Sequence, residues 1–226
     1  MTKINARLIA VTQPTIQIPA ATPEGVVAYC GRVSNQPNQE NPDYKKLFKT
    51  CFDNGHWSFF EMANAIVEVE APRDITRQLL RHRSFSFQEF SQRYSDDIEF
   101  TDRDFRRQDT KNRQNSIDDL DSKSLQKGAE ILKQIKQSCR LGYEALREGA
   151  VAKECARVIL PEGLTMSRLY VNGTLRSWMT YLSVREDPTT QKEHQILAGK
   201  IRVALEPAFP VAFSSMVGSD NGKKIS

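Results

Sequence analysis

The 226-residue sequence is poor in several things at once, and each lack excludes a class of protein. No apolar stretch approaches the about 18 residues that a membrane-spanning helix needs, so no membrane partner is expected. Residues Met1-Thr2-Lys3-Ile4-Asn5 lead into no signal-peptide core. That argues against secretion by that route and leaves the cytoplasm as the expected compartment. Cysteine is scarce: Cys30, Cys51, Cys139 and Cys155 form no C-x-x-C pair and have no histidine at zinc-finger spacing. Neither a metal site nor a disulfide framework is expected, and the thiols read as buried and reduced. Net charge is slight, +4 from 32 Lys+Arg against 28 Asp+Glu. A dedicated nucleic-acid binder carries a larger and more clustered excess, so none is expected as a partner. No internal repeat is visible.

What is present is a globular composition, 39% hydrophobic and 27% charged, in a chain long enough for a sizeable core. Leu8-Ile9-Ala10-Val11, within 6–18, reads as a strand stopped at Thr12-Gln13-Pro14. Val26 to Cys30 reads as a short helix closing near Gly31, Asn35 to Asp43 as a loop, and Tyr44 to Asp53 as a helix ended by Asn54-Gly55. Ala63 to Ala71 alternates, with Ala65, Val67, Val69 and Ala71 on one face, a half-buried antiparallel strand. After Pro72, a helix begins at Asp74 and carries Gln78 and Arg81 one turn apart.

Residues 101–124 are nearly all polar and read as a mobile insertion. Leu125, Ala129, Leu132, Ile135, Cys139, Tyr143 and Leu146 then mark an amphipathic helix that stops at Gly149. A further long helix is expected from about Leu164 to Val184. A last one is expected to start at Asp187-Pro188, turn Leu197, Ile201 and Leu205 inward, and end near Pro207. The tail 218–226 reads as frayed. The fold class is α+β: a single domain with a small antiparallel sheet and several long helices, the strands early and the helices late.

Chemistry concentrates in Arg81-His82-Arg83-Ser84-Phe85-Ser86-Phe87-Gln88-Glu89-Phe90-Ser91-Gln92-Arg93-Tyr94. Arginine presents a planar fork of donors suited to phosphate and imide oxygens. Such a stretch could hold a nucleotide, and it could equally be a solvated basic turn. Phe85, Phe87, Phe90 and Tyr94 among the arginines also leave an RNA-binding module open.

The order of residues separates these readings. Arg81-His82-Arg83, seven residues, then Ser91 and on to Arg93-Tyr94-Ser95 resembles the signature of the flavin-dependent thymidylate synthases. Further blocks agree in order: Gly31-Arg32-Val33-Ser34, Gly55-His56-Trp57-Ser58-Phe59-Phe60-Glu61, and Arg73-Asp74-Ile75-Thr76-Arg77-Gln78. Ala156-Arg157-Val158-Ile159-Leu160-Pro161, Arg176-Ser177-Trp178 and Leu182-Ser183-Val184-Arg185 follow. The resemblance covers nearly the whole chain apart from 101–124 and the tail.

What the resemblance implies is a homotetramer with active sites shared between subunits. It implies reductive methylation of dUMP to dTMP, with 5,10-methylenetetrahydrofolate as carbon donor and NADPH as reductant acting through FAD. By position, the residues resembling dUMP ligands are Gln78, Leu79, Leu80, Arg81, Glu89, Phe90, Ser91, Gln92, Arg93, Arg157 and Arg185. Those resembling the FAD site are Ser34, His56, Ser58, Arg81, His82, Arg83, Glu89, Thr174, Leu175, Arg176 and Thr180. Arg185 is the expected catalytic residue: the matching family arginine lies at the uracil edge, where a permanent cation favours the N3-deprotonated base. Its plain alternative is a helix-end arginine facing the helix dipole.

Two departures stand out. The family often has Asn near position 174, so Asn172 or Thr174 takes that role here, and Thr180 falls where Asn or His is common. No cysteine follows a proline, unlike the thymidylate synthases that attack dUMP with a thiolate. Arg157, beside the apolar run Val158-Ile159-Leu160, reads as a functional charge next to a core. Reduced flavin rather than a protein nucleophile is the expected driver of methylation. No Rossmann glycine fingerprint marks an NADPH site.

Overall fold

A computed structural model describes residues 2–216; the expected frayed tail, 218–226, lies outside them. In chain order the elements are β1 (Asn5–Val11), α1 (Pro23–Gly31), α2 (Gln36–Gln39), α3 (Lys45–Asp53), a 3-10 turn (Trp57–Glu61), β2 (Asn64–Pro72), α4 (Arg73–Leu79) and β3 (Ser86–Glu89). There follow β4 (Arg107–Gln108), β5 (Ser116–Ile117), α5 (Ser122–Glu148), α6 (Lys153–Ala156), a second 3-10 turn (Arg157–Ile159), β6 (Met166–Thr174), α7 (Leu175–Arg185), α8 (Lys192–Leu205) and α9 (Pro210–Met216). The α+β expectation holds. A four-stranded antiparallel sheet in the order β1-β2-β6-β3 carries helices on one face. Among the described residues no helix is long and apolar enough to cross a membrane.

Alternation builds the sheet. Ala65, Val67, Val69 and Ala71 of β2 and Leu169 and Val171 of β6 all turn into one core. Trp178, Met179, Tyr181 and Leu182 of α7 and Leu197, Ala198 and Ile201 of α8 fill it from above. Close approach is needed at Gly173, where an added Cβ would stand 2.3 Å from the Phe85 ring.

Several expectations change, the first being the loop expected from Asn35 to Asp43, which contains the short helix α2 because Pro37 suits a first helical turn. The helix expected from Leu164 is instead strand β6 up to Thr174, so a central strand arrives late in the chain. Its inward Leu169, Val171 and Gly173 alternate with outward Arg168, Tyr170 and Asn172. Nine-residue pairing with β2 outweighs any helical tendency there. The last long helix starts at Lys192, not at Asp187, because Asp187 accepts from the Thr189 N–H at 2.8 Å and its hydroxyl at 2.6 Å, closing a turn instead. Only Cys51 of the four cysteines is buried; Cys155 is exposed.

The segment 101–124 forms the small β4–β5 hairpin, and it is tied down by arginines. Arg103 donates to Asp74 at 2.7 Å and to the Gly163 carbonyl at 2.9 Å, and Arg106 reaches the buried Glu193. Helix α5 is capped by Asp121 and ends at Gly149 as expected, yet Leu125, Ile131, Ile135 and Leu141 (58% exposed) stay uncovered and only Tyr143 is buried.

Glu24 of α1 is buried, its Oε1 accepting the Ala212 N–H at 2.7 Å while Oε2 has no partner among the described residues. Burial pushes its pKa up to about 7, against the opposing pull of that backbone bond. The native carboxyl therefore keeps a proton that the unfolded chain loses near 4.5, so stability falls as pH rises through that window and levels off above it. Glu24→Gln is expected to raise Tm by several degrees above about pH 7 while leaving it near wild type at pH 4.5. Thermal melts of both proteins across that range check it; parallel pH profiles would show that Glu24 does not titrate as described.

Candidate active site

The antiparallel register places two helix starts at opposite ends of the sheet. Pro72 pairs with Met166 and Asn64 with Thr174, so α4 leaves one end of the β2–β6 pair and α7 the other. Nine paired residues span roughly 27 Å at about 3.4 Å per residue. The seven residues of α4 and eleven of α7 cover about 10 and 16 Å, so the helices converge over the sheet centre. Arg185, the last residue of α7, there donates its Nε–H to His82 Nε2 at 2.9 Å. Helix α4 stops at Leu79, so Arg81 and His82 lie in the turn beyond it rather than on the helix.

An accepting Nε2 requires a neutral His82. Burial, and then the Arg185 charge, lower its pKa to about 4. The ring stands edge-on to Tyr181 at 5.1 Å, in a cluster with Phe85 and Trp178. Arg185 itself is half-buried and, among the described residues, has no carboxylate partner. Adjacent Glu186 is held by both ends of the Arg202 fork, at 2.6 and 2.5 Å. Burial and the nearby Arg81 charge lower the Arg185 pKa, leaving a cation in want of an anion.

The family model for the thymidylate synthase complementing protein matches residues 17–211. A Synechocystis protein named flavin-dependent thymidylate synthase is 47% identical over 216 residues, covering 94% of this chain and 99% of that one. The chain belongs to the flavin-dependent thymidylate synthase family. A protein of Paramecium bursaria Chlorella virus 1, named a probable flavin-dependent thymidylate synthase, is 42% identical over 210 residues, covering 92% of this chain and 96% of its own. In fold, the chain is similar to the UMP/dUMP methylase PolB of Streptomyces cacaoi, solved with 5-Br dUMP, at a TM-score of 0.80 and 23% identity over 95% of each chain.

The residues matched to flavin-dependent thymidylate synthase positions fall into three groups. The first is the Arg185 cluster, with Gln78, Leu80, Arg81, His82 and the exposed Arg83. The second lies at the far end of α7. Exposed Arg176 donates to Glu61 at 3.1 Å, close to the turn carrying exposed His56 and Ser58. Thr174 caps α7 by accepting the Ser177 N–H at 3.2 Å, whereas Asn172 points outward from β6. Ser34 is exposed in the loop after α1, and Thr180 is half-buried midway along α7.

The third group follows the edge strand β3. Glu89 accepts from Ser167 Oγ at 2.7 Å, Phe90 donates its N–H to the Arg168 carbonyl, and Ser91 Oγ accepts the Arg93 N–H at 3.3 Å. Arg93 pairs with Glu154 at 3.3 Å, near Arg157, and Tyr94 is 83% exposed. Val158 is 82% exposed, so the run after Arg157 is no core segment within one chain, and that argument for Arg157 fails. Three side chains are turned inward. Leu79 and Leu175 are fully buried, and Gln92 is buried accepting from Arg73, so Leu79 and Leu175 offer a ligand at most their backbones.

Sequence reasoning missed Tyr181, Gln191, Glu193, His194, Arg103 and Arg106. One signal was available: the inward stripe Leu197, Ile201, Leu205, run back one turn, lands on His194. The hairpin arginines had none, because their partners lie far away in sequence.

His194 is neutral like His82, its pKa lowered to about 3 by burial and then by Arg185 and His82. The unfolded chain takes up these protons near 6.5 and the native one does not, so stability is lost as pH falls from 6.5 toward 4. Glu24 acts with the opposite sign in that window, so the readout is a difference between variants. His82→Gln is expected to lose less stability than wild type between pH 6.5 and 4 in paired thermal melts. A His82 ring that titrates with a midpoint of 6.5 by NMR would contradict the geometry.

Proposed function

We propose that the protein methylates dUMP at C5 to give dTMP, with bound FAD, 5,10-methylenetetrahydrofolate as carbon donor and NADPH as reductant. The observation that carries the reading is Arg185, a half-buried cation whose sequence neighbour Glu186 is taken by Arg202 and whose Nε–H is aimed by His82. A fixed cation at the uracil edge stabilises the base deprotonated at N3 and raises electron density at C5. Arg81 beside it and Gln78 one turn earlier supply neighbouring donors for the same ligand.

The donor set also fits the cofactor. Arg81 and Arg83 are exposed, make no ion pair among the described residues, and match the charge of a diphosphate. Exposed His56, Ser58 and Arg176 offer further donors. FAD, when bound, would carry the reducing electrons from NADPH to the transferred carbon.

We infer a homotetramer in the cytoplasm. Its support is the uncovered apolar face of α5 and the separation of the matched groups along α7, about 16 Å from Thr174 to Arg185. A site completed by other copies would bring those groups to one ligand pair.

No protein nucleophile is required. Cys51 is buried with its pKa raised by burial, which disfavours a thiolate. Exposed Cys155 stands on α6 rather than beside Arg185. Among the described residues, Ser91 Oγ has no basic side chain as a hydrogen-bond partner; it accepts the Arg93 N–H.

The purified protein is expected to be yellow, to be bleached by NADPH without oxygen, and to release dTMP when 5,10-methylenetetrahydrofolate and dUMP are added. Arg185→Lys keeps the charge but loses the planar fork, so turnover should fall on the order of a hundredfold with FAD content unchanged. Unchanged turnover would reduce Arg185 to a helix-end residue. A variant with all its cysteines replaced by Ser or Ala, and separately Ser91→Ala, should still make dTMP. Complete loss in either folded, FAD-loaded variant, or a trapped dUMP–protein adduct, would count against the mechanism.

A further inference from the structure

A single line of hydrogen bonds runs behind Gln78, and its direction is set by its two ends. At one end Glu193 is buried, with its Oε1 accepting from Arg106 at 2.5 Å and Arg103 at 4.0 Å from Oε2. Burial works against its charge, but the Arg106 bond and its neighbours outweigh that, so its pKa lies below the ordinary value. An ionised carboxylate only accepts. Gln191 must therefore turn Nε2 toward Glu193 Oε2, at 3.1 Å, leaving its Oε1 toward Gln78.

That oxygen needs a donor, and Gln78 Nε2 supplies it at 2.7 Å. Gln78 Oε1 is then left facing His194 Nδ1 at 3.1 Å, so Nδ1 must carry the hydrogen. The opposite nitrogen, Nε2, keeps its lone pair and meets the Tyr181 hydroxyl at 3.1 Å, which donates to it. Turning the Gln78 amide over would set two carbonyl oxygens against each other at the Gln191 contact. Only one assignment of donors satisfies every member.

His194 and Tyr181 are both 0% exposed, so water cannot replace either bond. An unmade bond at such a place costs the full desolvation of the orphaned group. Two Gln78 contacts are thus consumed, leaving one Nε2 hydrogen and one Oε1 lone pair to present to a ligand. Tyr181 also backs the His82 ring that receives Arg185. One phenol therefore underlies both arms of the site.

We propose that His194, held as the Nδ1–H tautomer by Tyr181, is a positioning residue that fixes the orientation of the Gln78 amide for dUMP. The inference rests on the reading of the protein as a dUMP-methylating enzyme. His194 touches neither substrate nor cofactor and acts only through Gln78.

The test compares His194→Phe, which keeps the ring volume and loses both bonds, with His194→Asn, whose amide restores a donor near the Nδ1 position. In the FAD-loaded enzyme, His194→Phe should raise the Kd for dUMP by calorimetry, and its KM, about tenfold, with a smaller change in kcat. His194→Asn should recover most of that loss. In a Gln78→Ala background, His194→Phe should change the dUMP Kd less than about twofold, because the amide it positions is gone. A merely structural role would instead give the same loss in both backgrounds and no rescue by Asn. If His194→Phe does not fold, nitrogen-15 NMR of the wild-type ring decides: a protonated Nδ1 supports the assignment, and a protonated Nε2 overturns it. Wild-type affinity in folded His194→Phe would overturn the inference while the enzyme's turnover keeps the functional reading intact. A wild-type protein that binds no dUMP would overturn both.

Discussion

The antiparallel pairing of β2 with β6 is the constraint on which the site depends. It holds nine residues of each strand in register and sends α4 and α7 off from opposite ends of the same pair. Because each helix begins at the residue after its strand, their lengths decide where they meet. A one-residue slip of β6 against β2 would turn Leu169 and Val171 out of the core. It would also move His82 away from Arg185, so the core's demand for its apolar face keeps the site in register.

Above that frame, charge is distributed with a clear division. Glu186 goes to Arg202 and Glu193 to Arg106, while Asp187 accepts from Thr189 within the α7–α8 turn. Arg185, Arg81 and Arg83 remain without carboxylate partners among the described residues. Such a bunching of cations is unfavourable in the free chain and is relieved by an anion, which couples ligand binding to stability. The neutral histidines fit this division, since protonating either would add charge beside Arg185.

The insertion and α5 show how polar composition and amphipathic spacing can mislead about position. The segment 101–124 is mostly exposed, yet Arg103 and Arg106 reach inward to Asp74 and Glu193. Long charged side chains can span from a polar hairpin to a buried acid, which hydropathy along the chain does not register. In α5 the spacing is genuinely helical, but within one chain only Tyr143 of the apolar stripe is buried, and Leu125, Ala129 and Ile135 stay exposed. Periodicity states that a face is apolar; it does not state what lies opposite.

The sequence by itself determined the local and the chemical. The alternation of β2, the limits of α3 and α5, the position of Arg185 at a helix end and the ordered blocks from Gly31 to Arg185 were all legible, because each depends on neighbours a few residues away or on residue identity alone. Only the tertiary structure decided that Met166–Thr174 is a strand, that α8 begins at Lys192, and that Leu79, Leu175 and Gln92 turn inward. It alone joined Gln78 to His194 and His82 to Arg185, across 116 and 103 residues of chain. These outcomes rest on hydrogen bonds and burial between distant segments, whose energies exceed local propensity and leave no periodic trace in the residues that make them.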